Sequence, residues 1–260
     1  VSGQRSSLNR GAALLGAAVI LTAGCATVPP PRAPISPEAG RLINLLARRW
    51  LEFDDLRTQA EIAIRRDGHV QRFNGVLLLQ APASLRFEAL TPWGQPFLLL
   101  AVNAETTILY EVADNRALVG PASARATERW LGFALEPDEL VGLLSGLVVP
   151  IKDPYSAELM PADAMGPSLR LTGVSGIQRI WLDPETGVVG QVELSGTSTS
   201  ARITYANGGA AEPPSALTLT ALNAPLTVSI RYRDPKFRTG LSPDLFTLAL
   251  PEHVKIQRFR

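Results

Sequence analysis

From residue 55 onward, apolar and polar side chains alternate with a period of two along most of the chain. Ala60, Ile62 and Ile64 alternate with Glu61 and Arg65, and Asp67-Gly68 then supplies a hairpin turn. Phe73, Gly75, Leu77 and Leu79 share one face of the next run, and Leu85, Phe87 and Ala89 alternate with Arg86 and Glu88. Such alternation predicts strands with one face in a core and one in water. The run Phe97 to Val102 is apolar at every position, as expected of a strand covered on both sides. Ile108 and Tyr110 continue the series before a turn at Asp114-Asn115. Strands resume after residue 155 with Leu169 and Leu171, then Ile177 to Leu182, a turn at 183–187, and Val188, Val192 and Leu194. Ala201, Ile203 and Tyr205 alternate with Arg202 and Thr204. Leu217 and Leu219 alternate with Thr218 and Thr220, and Leu226 to Tyr232 alternates in the same way.

The period changes to that of a helix in a few places. Ser36-Pro37-Glu38 is a helix start, and Leu42, Leu46, Trp50 and Phe53 follow at helical spacing, predicting an amphipathic helix over 37–53. A short helix carrying Trp130 and Leu131 is expected over 123–131. A third begins at Glu136-Pro137-Asp138-Glu139, where acids suit the positive end of the helix dipole, and Gly146 closes it. Ser242 to Phe246 reads as a helical turn, followed by a last short strand near 253–258. The predicted class is mainly β with helices (α+β): many antiparallel strands, one helix first, and a helical insertion midway.

Residues 1–25 stand apart. Arg5 and Arg10 precede an apolar run from Ala12 to Leu21, and small residues lead to Cys25. A basic stretch, a short apolar stretch and a small-residue cut site make a secretory signal peptide; the run is shorter than the roughly 20 residues that span a bilayer. Leu21-Thr22-Ala23-Gly24-Cys25 resembles the lipobox of bacterial lipoproteins. That resemblance implies cleavage after Gly24, with lipid on the Cys25 sulfur and on the new amino terminus. Ala26 follows where an Asp tends to retain such proteins at the inner membrane, which points to the outer membrane. The expected division is a signal peptide at 1–24, lipidated Cys25 with a proline-rich tether at 25–36, and one domain at 37–260. Proline keeps such a tether extended.

Composition narrows the partners. The whole chain carries a formal charge of +1, with 25 basic and 24 acidic residues; removing Arg5 and Arg10 leaves 23 against 24, or −1. That is no electrostatic footprint for nucleic acid. Cys25 is the sole cysteine, so no disulfide can form within the chain and stability must come from packing.

The order of lipobox, amphipathic helix, strands, helical insertion and further strands resembles the LolA/LolB superfamily of periplasmic lipoprotein carriers. The residues that carry the likeness are Leu90-Thr91-Pro92-Trp93-Gly94-Gln95, then Trp130 to Leu140, then Leu144-Ser145-Gly146. They match a LolB-type Leu-x-Pro-x-Gly-Gln turn and a later Leu-Gly…Pro…Leu…Gly helix signature. The likeness is best over 45–150; beyond 150 the ending Phe246 to Ile256 also suits other lipoproteins of the superfamily. It implies a strongly curved antiparallel sheet forming an incomplete β-barrel, lidded by α-helices, with an apolar cavity between. It further implies acylated lipoproteins or lipids as ligands, a soluble periplasmic carrier as donor, and a protruding loop that aids insertion into the outer membrane. The corresponding loop holds Leu90, Pro92 and Trp93. Trp suits a membrane interface because its ring is apolar while its N–H stays hydrated; the alternative is a Trp93 packed on its own hairpin.

An acyl chain needs a concave, water-free wall. Leu77, Leu79, Leu85, Phe87, Leu99 and Ile108 supply one if they point inward, with Leu140, Leu143 and Leu144 as a lid; the alternative is an ordinary filled core. No catalytic constellation emerges. His69 and His253 have no metal-ligand spacing, and no G-x-S-x-G elbow or phosphate loop occurs. Glu136, Asp138 and Glu139 read as helix-capping acids, and Asp54-Asp55 as the solvated end of a helix. The expectation is therefore a non-enzymatic, membrane-anchored protein without cofactor. It binds acyl chains and helps localise lipoproteins to the outer membrane, or else is a structural accessory lipoprotein of an envelope complex.

Overall fold

The structure is a computed structural model that describes residues 32–196, 200–206 and 208–259. The expected signal peptide, Cys25 and the tether up to residue 31 lie outside the described residues. The last tether residues run against the domain, where the Ala33 N–H donates to the Tyr155 carbonyl at 2.8 Å.

Helix α1, Pro37–Leu51, starts as its sequence dictates: the Ser36 hydroxyl accepts from the Ala39 N–H at 3.2 Å, and Pro37 takes the first helical position. Ala39, Leu42 and Leu46 form its buried face. It ends two residues before the predicted limit, and Phe53 beyond it is buried on the way into the sheet.

A first meander follows, made of β1 (Asp55–Arg66), β2 (His69–Gln80), β3 (Ser84–Leu90), β4 (Pro96–Val102), β5 (Thr106–Glu111) and β6 (Arg116–Pro121). Helices α2 (Ala124–Leu131) and α3 (Pro137–Ser145) come next. The second meander comprises β7 (Ser156–Asp163), β8 (Gly166–Gly173), β9 (Gly176–Leu182), β10 (Val189–Ser195), β11 (Ser200–Ala206), β12 (Ala216–Ala221) and β13 (Leu226–Phe237). A 3-10 turn at Pro243–Phe246 and β14 (Lys255–Arg258) complete the described chain.

The strands of the described residues belong to one 14-stranded sheet in the order β14-β6-β5-β4-β3-β2-β1-β13-β12-β11-β10-β9-β8-β7. Antiparallel pairing of β1 with β13 joins the two meanders, with Ile62 opposite Ile230. Among the described residues only β14 is parallel to its neighbour, β6. The two end strands do not pair with each other, so the sheet curves without closing, the incomplete barrel that the resemblance implies.

Register decides which side chains enter the core. Leu56, Leu79, Leu85 and Val102 lie opposite one another across four strands and are 0, 0, 2 and 1 % exposed. The same face continues through Ile62 of β1 and Ile230 of β13 to Leu217, Ile203, Val192, Ile180 and Leu169 in the other half. Leu42 and Leu46 of α1, and Leu140, Val141 and Leu143 of α3, share this core.

Candidate functional site

The turn between β3 and β4 is built from its own residues. The Gly94 N–H donates to the Thr91 carbonyl at 2.9 Å, and the Thr91 N–H donates to the Gln95 carbonyl at 2.8 Å. The Thr91 hydroxyl also accepts from the Gln95 N–H at 3.1 Å. Gly94 sits at φ 80°, a left-handed conformation that favours glycine. This arrangement pushes Trp93 outward, leaving it 86 % exposed rather than packed on its hairpin. The register slips by one residue between Ala89 and Leu90, where Phe97 is the extra residue. Its ring meets Phe73 edge-on at 5.8 Å, and Phe73 in turn lies 6.3 Å from Phe87. Gly75 makes room for Phe87: a methyl group there would lie 2.6 Å from the Phe87 ring.

A cleft of about 1070 Å³ borders this turn. Leu90, Thr91, Pro92 and Phe97 form one side of it, and consecutive residues of β1, β2, β12 and β13 form the rest. Glu61, Arg72 and Arg231 are its charged members. These three take register positions on the face opposite the core, since Glu61 pairs with Asn74 and Arg231, and Ala63 with Arg72, whereas Ile62, Phe73, Leu217 and Ile230, which also line the cleft, belong to the core face. Glu61 forms ion pairs with both Arg231 and Arg233.

The wall predicted for acyl chains divides in two. Leu77, Leu79, Leu85 and Phe87 face the core together, and Leu140 and Leu143 of α3 are buried with them, with Leu144 packed alongside. Leu99 and Ile108 do not join them. Leu99 lies opposite Tyr110, and Ile108 opposite Ala101, one residue out of step with the core row Leu100 and Leu109. An all-apolar run such as 97–102 conceals the parity of Leu99, and Ile108 follows it to the other face of the sheet through its pairing with Ala101. The core-facing members are packed rather than open: Leu77, Leu79 and Leu85 are 4, 0 and 2 % exposed.

Helix α3 is held in the concave side by two tyrosines. The Tyr205 hydroxyl donates to the Leu143 carbonyl at 2.9 Å, and the Tyr232 hydroxyl donates to the Leu144 carbonyl at 2.6 Å. The Leu144 carbonyl is one that the helix end leaves free, the Leu143 carbonyl also accepts from the Gly146 N–H at 3.3 Å, and burial raises both phenol pKa values well above the ordinary. At the other end, the Glu136 N–H donates to the Glu139 carboxylate at 2.9 Å, the capping role expected of these acids. Burial raises the Glu139 pKa in spite of that bond.

Asp55 is where expectation and structure diverge most. Its neighbour Asp54 is exposed, but Asp55 is 3 % exposed and is no solvated helix end. Its carboxylate accepts from the Thr239 N–H and hydroxyl, both at 2.7 Å, from the Gly240 N–H at 2.9 Å and from the Leu241 N–H at 3.2 Å. Nothing near Asp55 in the sequence signals this, because its partners lie 184 to 186 residues away. The segment after β13 is thereby tied to the start of β1 and continues across the outer face of the first meander. Arg86 donates to the Leu245 carbonyl at 2.9 Å, and Phe246 is 1 % exposed.

This fold recurs in solved structures. A domain from Vibrio parahaemolyticus described as an outer membrane lipoprotein-sorting protein is similar over 80 % of this chain and 97 % of its own, at 14 % identity and a TM-score of 0.56. A DUF1329-family protein from Desulfovibrio piger matches over 82 % and 98 %, at 11 % identity and a TM-score of 0.56. A LolA-superfamily protein from Nitrosomonas europaea matches over 81 % and 97 %, at 11 % identity and a TM-score of 0.52. The chain therefore has the LolA/LolB-type fold. No family model and no curated protein matches it by sequence.

Proposed function

We propose that this protein is a lipid-anchored envelope protein that accepts acyl chains, those of lipoproteins or of lipids, and helps deliver them to the outer membrane. The observation that carries the reading is Trp93, an 86 % exposed aromatic at the tip of a self-braced turn, on a fold otherwise built around one apolar concave face. A water-facing indole costs free energy in solution and gains it at a bilayer interface. The core row of Leu77, Leu79, Leu85 and Phe87 is the apolar surface that acyl chains would meet, with α3 as the element to be displaced. Retention of Cys25-linked lipid and residence at the outer membrane belong to the same proposal. So does the absence of catalysis: the role asked of the protein is binding and transfer.

A filled core favours a second reading, a structural accessory lipoprotein that transfers nothing. Native mass spectrometry of the chain carrying Cys25→Ser, presented with an acylated lipoprotein on a soluble carrier, decides between the two. We expect a one-to-one acylated complex. Trp93→Glu should still accept the cargo yet lose delivery into vesicles by tenfold or more. If no acylated species is ever retained, the transfer reading is wrong and the accessory role stands.

A further inference from the structure

We propose that the arginine-bearing outer face of β2, β1 and β13 is a docking surface for the headgroups of anionic phospholipids, separate from the core face that would meet acyl chains. Three observations meet there. First, the register places Arg65, Arg72, Arg231 and Arg233 on one face of three adjacent strands, β2, β1 and β13, and all four are exposed. Second, Glu61, the acid set among them, is already engaged by Arg231 and Arg233, whereas among the described residues Arg65 and Arg72 have no carboxylate within ion-pair distance. The face thus presents uncompensated positive charge. Third, the turn that carries the exposed Trp93 lies at the same end of the sheet as Arg72, since Leu90 before the turn pairs with Asn74, and Thr91, Pro92, Arg72 and Arg231 all border one cleft.

This arrangement pairs cations with an apolar tip. Arginine offers forked donors that match phosphate oxygens, and basic groups beside a bilayer are drawn to its negative surface. Trp93 enters the interfacial layer from the same side. A neutral membrane would satisfy the indole but not the arginines, and a soluble acidic protein would satisfy the arginines but leave the indole in water. The surface therefore selects a negatively charged bilayer.

The test is vesicle partitioning of the full chain carrying Cys25→Ser, with no acylated cargo, so that its outcome is independent of the transfer reading. Vesicles of phosphatidylcholine alone are compared with vesicles that also contain phosphatidylglycerol. We expect binding to depend on phosphatidylglycerol and to weaken between about 0.1 M and about 1 M salt, as screening shortens. Arg65→Glu with Arg72→Glu should lower phosphatidylglycerol-dependent binding at least tenfold with an unchanged melting temperature, and lysine at both positions should restore most of it. Equal binding to both vesicle types, or phosphatidylglycerol-dependent binding untouched by the double charge reversal, overturns the proposal.

Discussion

The two meanders of the sheet obey the same alternation on their core face and differ on their outer face. In β7–β13 the outer face has no strap and carries pairs such as Arg202 with Glu193 at 2.7 Å and Arg179 with Asp163 at 2.8 Å, with Trp181 tucked beneath Arg179 and donating to Asp163 at 3.0 Å. In β1–β6 part of the outer face is covered, because the segment after β13 crosses it. Gln80 donates to the Leu241 carbonyl at 2.8 Å, Arg86 donates to those of Leu245 and Thr247, and Phe246, Leu78 and Ala101 are buried there, outside the main core. The first half is thus a three-layer structure of helices, sheet and strap, and the second has two layers. An apolar residue on an outward-facing position in the first half is covered by the strap, whereas in the second half the outward-facing Trp181 is buried by the side chain of Arg179 from its own strand, 4.1 Å from the ring centre.

The comparison breaks most readily at Phe246. If the strap is a true layer, Phe246→Ala leaves a cavity against β2–β4 and should cost about 4 kcal/mol, the usual range for a buried phenylalanine. A urea midpoint measured against the parent chain checks this. A cost under about 1 kcal/mol, typical of surface changes, would mean that the strap merely rests on the sheet.

Asp55 comes next, because it ties the strap to the sheet. Removing its carboxylate strands three backbone N–H groups and a hydroxyl, so Asp55→Ala should cost about 3 kcal/mol, the scale of a hydrogen-bonded buried charge. Burial acts to raise the Asp55 pKa, but the hydrogen bonds from Thr239, Leu241 and Gly240 outweigh it and hold the pKa below the ordinary value. A depressed folded pKa means that the stabilisation is present above the unfolded value of about 3.9 and is lost as pH falls through the folded value. Stability measured from pH 6 down to pH 2 should therefore fall less steeply in Asp55→Asn than in the parent, and equal slopes would show that the carboxylate is not the acid-sensitive tie.

Much of this was legible in the chain. Ser36-Pro37 and Gly146 mark helix ends by local chemistry alone, and α1 and α3 begin or end there. The alternation from Ala60 to Ala89 gives strands and their inward face directly, because period two leaves a single consistent choice. The run 97–102 announces double cover but not its parity, so alternation alone does not show that Leu99 faces away from the core, nor that Ile108, opposite Ala101, does so with it. What covered it was beyond local reading: Phe246 looks like any apolar residue in a turn, and Asp55 like any acid after a helix. Trp93 sits in a turn legible from Pro92 and Gly94, but its exposure follows from the Thr91 hydrogen bonds, which composition does not reveal.

The smallest effect is expected where the second meander's outer face meets water. Arg202 and Glu193 face each other across β11 and β10, with side chains 48 and 24 % exposed. An ion pair so hydrated gains little, because water screens the attraction and two long side chains lose freedom to form it. Arg202→Ala should therefore change stability by less than about 0.5 kcal/mol, and salt should leave the difference nearly unchanged. The value of this measurement lies in the contrast with Arg86, which also pairs with a neighbouring acid, Glu88 at 2.7 Å, but in addition donates to two carbonyls of the strap. Arg86→Ala frees those carbonyls and loosens a buried layer, so it should cost several times more than Arg202→Ala despite the same chemistry of ion pair. Equal costs at the two arginines would erase the distinction between the halves, since the strap would then add nothing that a surface salt bridge does not.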